Sequence, residues 1–164
     1  MKEKAKKFYK LSKTFCDYVL NNPINEESFK YILEEIMKIY LLAINLPSVD
    51  VDNTEDEKKE KYKIYSETDI DIDKKANIPY WTILSPLEEK LSNYDPTPSV
   101  FRGDLKDILE DLLYGNVLYE KGKIEYALYE WKQSCLIHWG GGHAMGLFSA
   151  MHAKLMEKYL NGEM

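Results

Sequence analysis

At 164 residues with 45% hydrophobic and 13% aromatic side chains, the chain can bury a core of its own and is far too apolar for a disordered segment. A net charge of −6, from 22 basic and 28 acidic residues, argues against binding to the phosphate backbone of nucleic acid. The longest strongly apolar run, residues 39–44, is far short of the ~20 residues that span a bilayer, and the N-terminus has no signal-type apolar stretch. Cys16 and Cys135 form no CxxC pair and read as small buried hydrophobes of a reducing compartment. The expectation is a soluble cytoplasmic protein, without nucleic-acid or membrane partners, folded as one domain over residues 1–164.

A first helix is expected over residues 4–20, with Phe8, Leu11, Phe15 and Val19 on one stripe. Lys2, Lys4, Lys6, Lys7 and Lys10 read as its solvated face. Pro23 ends it. A second helix follows, capped by Asn25, with Glu26 and Glu27 in its first turn. Phe29, Ile32, Leu33, Ile36, Tyr40 and Leu41 form its apolar face, and Leu46–Pro47 closes it. Residues 46–98 hold five of the six prolines and an acidic tract, and read as a connecting region with short helices over 57–65 and 84–91.

Beyond residue 98 the helical pattern returns. Ser99 or Asp104 is placed to cap a helix that puts Leu105, Ile108, Leu109, Leu112 and Tyr119 on one face. A turn at Lys121–Gly122 leads to a last helix carrying Ile124, Ala127, Leu128, Trp131, Cys135 and His138. Its periodicity collides with Gly140, Gly141 and Gly142, then resumes through Met145, Leu147, Phe148, Met151, Leu155 and Met156. The fold class is all-α, a helical bundle of about four principal helical segments with short helices in the middle connection.

Two acidic sets invite a metal reading. Asp69, Asp71 and Asp73 open like an EF-hand loop, but Lys74 stands where glycine is needed and Tyr80 where the bidentate glutamate belongs, so a solvated acidic loop is the better account. Asp104, Asp107 and Asp111 fall within about 60° of one another on a helix, at the edge of its apolar face, where a divalent metal could be held with help from another helix.

The sequence lacks HExxH, GxSxG and Walker-type phosphate loops. All three histidines lie in the last helical stretch. On a regular helix His138 and His143 are about 140° apart, and His138 and His152 are separated by ~21 Å of rise. The three cannot make one site on a straight helix.

The runs GDLKDILEDL (103–112), EYALYEWK (125–132) and HWGGGHAMGLFSAMH (138–152) resemble the DUF5063 family, an uncharacterised bacterial group. The resemblance is best over 99–152. It implies an all-helical fold, no known activity, and marked positions at Asp104, Leu105, Asp107, Ile108, Asp111, Leu112, Trp131, His138, Trp139, Gly140, His143 and His152. This chain departs from the pattern at Gly103, where the family has aspartate, at Leu109, where it has tyrosine, and by an extra glycine between His138 and His143. An inserted residue is commonly absorbed as a π-turn. A π-type turn or break across 139–143 would bring His138 and His143 to one face.

Three functional readings follow. The first is a non-catalytic helical protein whose Asp/His/Trp cluster serves structure or protein contact, with Trp131, Trp139, Gly140, Gly141, Gly142 and His152 as its structural members. The second is a metal-binding protein or metal-dependent hydrolase. Its candidate ligands are Asp104, Asp107, Asp111, His138 and His143, its candidate catalytic groups His138, His143 and Asp107, and its cofactor a divalent metal. The third is an acidic immunity-type partner of a basic protein.

Overall fold

The computed structural model describes residues 1–51, 55–82 and 97–163. Helices α1 (Lys2–Asn21), α2 (Phe29–Ile44), α3 (Glu55–Glu67) and α4 (Phe101–Glu120) are followed by α5 (Ile124–Ser134), a π-helical segment (Cys135–Ala144) and α6 (Met145–Leu160). The last three run on without a break in helical structure. No described helix is long and apolar enough to cross a membrane. The all-α bundle is as expected, as is a helix in the acidic part of the middle region.

The middle region also holds a feature the periodicity did not suggest. Strands β1 (Pro79–Thr82) and β2 (Thr97–Val100) form an antiparallel ribbon that pairs Pro79 with Val100, Tyr80 with Ser99 and Trp81 with Pro98. The helix expected over residues 84–91 lies outside the described residues.

α4 is the element around which the others pack: α1, α3, α5, the π segment and α6 all touch it. It is accordingly buried nearly all round, including Leu105, Ile108, Leu109, Leu112, Tyr114 and Leu118. Gly115 lets the Trp131 indole lie against its backbone, since a Cβ there would sit 2.1 Å from the indole Nε1. Trp131 also packs on Phe8, with ring centroids 4.7 Å apart. The stripe expected on α1 holds with one shift: Ala5, Phe8, Ser12, Phe15, Cys16 and Val19 are buried, while Leu11 is half-buried. Ser12 reaches the core because it donates to Asn116 Oδ1 at 2.9 Å, which satisfies both buried groups.

Some expected positions are corrected. Leu41 is exposed, because the α2 face that meets its neighbours runs Ile32, Ile36, Ile39, Ala43 and leaves Leu41 on the far side. Met145 and Met156 also face outward, since α6 buries the side bearing Gly146, Leu147, Ala150 and Met151. Neither Ser99 nor Asp104 caps α4. Its first amide groups are satisfied from the middle region instead: the Phe101 amide donates to Ile78 O at 3.0 Å and the Arg102 amide to Asn77 Oδ1 at 3.0 Å. Asn25 does cap, accepting from the Ser28 amide in a reciprocal box at a 3₁₀ turn (Glu26–Ser28) that leads into α2.

Candidate functional site

The π-helical segment decides the geometry of the site. A π turn closes i→i+5 and so takes one residue more than an α turn, which returns side chains five apart to one face. His138 and His143 are five apart. Their rings meet edge to face with centroids 4.9 Å apart. The segment is wider than the expected 139–143, spanning Cys135–Ala144. Gly140 is needed within it: a Cβ there would lie 2.2 Å from Cys135 O and 3.0 Å from Tyr40 Cε2. Gly141, by contrast, faces open space. Trp139 is fully buried, with its indole N–H donating to Ser134 Oγ at 3.3 Å.

α4 presents the partners. Asp104 and Asp111, two turns apart, each meet one imidazole: His143 Nδ1 lies 2.8 Å from Asp104 Oδ1, and His138 Nδ1 lies 2.7 Å from Asp111 Oδ2. Asp107, one turn in from Asp104, has Oδ2 3.6 Å from His143 Nδ1. Each buried carboxylate also accepts a tyrosine hydroxyl from the middle region, Asp104 from Tyr80 and Asp111 from Tyr65. Ser99 donates to Asp104 as well, at 2.8 Å. On the Asp111 side, Lys61 donates to Glu130 at 2.9 Å and stands 3.9 Å from Asp111.

The result is a doubled arrangement, tyrosine–aspartate–histidine twice over. With Nδ1–H given to a carboxylate, each ring keeps its Nε2 lone pair available. Among the described residues, neither Nε2 has a protein partner.

Titration follows from these contacts. Burial disfavours the charged form of Asp104, yet the hydrogen bonds from His143, Tyr80 and Ser99 outweigh it and hold the carboxyl below the usual range. His138 is raised, first by its hydrogen bond to Asp111 and against the opposing effect of burial. Burial, reinforced by the adjoining aspartates, pushes Tyr65 and Tyr80 up, so both remain proton donors. The thiols of Cys16 and Cys135 are pushed up to about 12 by burial and are inert core groups.

Of the expected site residues, Asp104, Asp107, Asp111, His138 and His143 come together, and Trp131, Trp139 and Gly140 support them from the core. His152 does not join: it is exposed on α6. Two carboxylates of the EF-like loop are otherwise engaged, Asp69 with Arg102 and Asp73 with the Lys75 amide. Tyr65, Tyr80 and Lys61 were not legible from spacing, because each reaches α4 or α5 from a distant part of the chain; Ser99, expected as a cap of α4, instead donates to the Asp104 side chain.

Among the described residues, one group of side chains could hold a metal ion: Asp104, Asp107 and His143, with a donor atom from each lying within 4.8 Å of the others. Two donors about 2.1 Å from a shared ion, at 90–110° to each other, stand roughly 3.0–3.4 Å apart. The His143 distances of 2.8 and 3.6 Å straddle that interval. Two cavities open onto the cluster. One, of about 340 Å³, includes Lys61, Tyr65, Asp111 and His138 in its lining; the other, of about 490 Å³, reaches from Trp81 to Asp104 and Asp107.

A family model described as a domain of unknown function, DUF5063, matches residues 1–157. The chain belongs to that family. No curated protein and no solved structure matches it.

Proposed function

We propose that this DUF5063 member binds a divalent transition-metal ion through Asp104, Asp107 and His143, as a metal-dependent hydrolase would. The observation that carries the reading is the approach of three donors of the right kind, two carboxylate oxygens and an imidazole nitrogen, to within 4.8 Å. An imidazole among the donors favours zinc, manganese or iron over magnesium or calcium, which prefer all-oxygen sets. Binding through Nδ1 takes the place of the hydrogen bond to Asp104 and leaves the ring proton on Nε2; because a protonated imidazole or carboxyl cannot ligate, binding weakens at low pH. Tyr80 and Ser99 then serve to orient Asp104, the usual work of groups behind a metal ligand. Three protein ligands leave positions for water or substrate, the layout of catalytic sites rather than closed structural ones.

Charge supports the same reading. Asp104, Asp107 and Asp111 lie close together against two imidazoles, and Lys61 is engaged chiefly by Glu130. A dication relieves that excess. A purely structural pair would gain nothing from leaving the His138 side chain 46% exposed or Asp107 38% exposed.

Isothermal titration of metal-free protein with zinc and manganese tests the reading. One equivalent should bind, and Asp107→Asn and His143→Gln should each weaken binding while the far-UV CD spectrum is unchanged. Absence of saturable binding by wild type with both ions would remove the reading and favour the structural account of the cluster.

A further inference from the structure

The cavity on the Asp104–Asp107 side has a built wall. In an antiparallel ribbon, successive cross-strand pairs face opposite ways. The Tyr80–Ser99 pair turns inward and both hydroxyls reach Asp104. The residues of the flanking pairs, Pro79–Val100 and Trp81–Pro98, line the same cavity as Asp104 and Asp107 and give it an apolar wall. Trp81 is 70% exposed, whereas Trp131 and Trp139 are fully buried. An exposed indole flanked by two prolines, continuous with a polar floor, is the composition of a ligand pocket, and about 490 Å³ is within the range of small-molecule sites.

Gly103 completes the opening. A Cβ there would meet only Val100 Cγ2, at an ordinary 3.5 Å, so the backbone does not require glycine and its absent side chain leaves the cavity clear. No lysine or arginine among the described residues lines this cavity. Its polar floor consists of Asp104 and Asp107, which repel an anion when bare and accept one once a dication is bound between them.

We infer that this cavity is the substrate pocket of the proposed metal centre and takes a flat aromatic ring bearing an anionic oxygen group, a phosphate or a carboxylate. The ring stacks on Trp81 between the prolines and the oxygen occupies an open position on the ion. This rests on the metal reading above, and the two can fail separately. Ligand binding should be conditional on metal, because nothing else in the cavity attracts an anion.

The test uses the intact protein, with phenyl phosphate and benzoate as probes and tryptophan emission as the readout, since Trp81 is the exposed indole. Zinc binding is first measured by calorimetry. Zinc-loaded wild type should then show a saturable emission change with one or both probes, and EDTA-treated protein none. Which probe acts distinguishes phosphate from carboxylate. Gly103→Leu should abolish the change while binding zinc normally, and Trp81→Ala should bind the active probe about tenfold more weakly by calorimetry, the loss expected for one stacking contact. Zinc-loaded protein that responds to neither probe overturns the inference and leaves the metal site standing. The same response in EDTA, or binding of benzamidine by metal-free protein with no response to the anions, overturns the assigned ligand class. Failure to bind zinc removes both.

Discussion

Replacing Gly140 by alanine tests whether the π-helical segment is what brings the two histidines together. The added Cβ would lie 2.2 Å from Cys135 O, 3.0 Å from Tyr40 Cε2 and 3.1 Å from Cys135 Sγ. The first contact is with main chain, so no rotamer change relieves it, and the turn itself has to move. Overpacking of this kind costs about 1–3 kcal/mol, and with backbone as the obstacle the upper part of that range applies. Alanine recovers up to about 1 kcal/mol through its better helix propensity, leaving a net loss of about 2 kcal/mol. For a chain of this length that lowers Tm by about 4–8 °C. The same shift carries His138 and His143 off their aspartates, so zinc affinity should fall with stability. Gly141→Ala is the control, because a Cβ there meets nothing within 4 Å; it should stay within about 0.5 kcal/mol of wild type. Thermal melts followed by CD, paired with calorimetric zinc titration, give both readings. A Gly140→Ala protein that melts and binds zinc as wild type does, or an equal loss in Gly141→Ala, would mean that the close approach at Gly140 does not hold the two histidines in place.

Further outcomes follow from the same geometry. Gly115→Ala should destabilise by about 1–3 kcal/mol, because its Cβ would overlap the buried Trp131 indole, and a chemical-denaturation midpoint measures it. Tyr80→Phe removes a donor to Asp104 and should weaken zinc binding by about 10–100-fold in calorimetry. Zinc at a hundred times its dissociation constant should stabilise by about 2.7 kcal/mol and raise Tm by about 5–10 °C, reversed by EDTA. In metal-free protein the raised His138 contributes stability that is full below its unfolded pKa near 6.5 and is lost as pH rises through the higher folded value, so Tm measured across pH 5.5–8.5 should fall over that window and less so in His138→Gln.

The helices were legible because their burial is carried by single stripes: Phe8, Phe15 and Val19 on α1, and Ile32 and Ile36 on α2, announce themselves by spacing alone. So was the essential link in the site. Three glycines between His138 and His143 conflict with α periodicity, and an inserted residue resolved as a π turn puts the two rings on one face. The aspartates were legible as a stripe on α4, though periodicity alone could not say that Asp104 and Asp111 face different histidines. What escaped is what crosses long sequence distances. Tyr65 and Tyr80 reach α4 from far back in the chain, with nothing in their spacing to point there, and pairing of the β ribbon depends on two segments well apart in the chain. The pieces PYWT and TPSV, aromatic or β-branched residues bounded by prolines, were the available hint of short edge strands. Leu41 and Met156 were misplaced because an apolar residue beside a buried stripe need not be covered when no neighbour extends that far.

Whether Asp104, Asp107 and His143 hold one metal ion is decided by anomalous scattering from crystals grown with zinc. A single strong peak is expected at the zinc edge, about 2.0–2.2 Å from an oxygen of each aspartate and from His143 Nδ1, and it should disappear in Asp107→Asn. Zinc-grown crystals with no peak at these residues, and with His143 Nδ1 still hydrogen-bonded to Asp104, would contradict the metal reading.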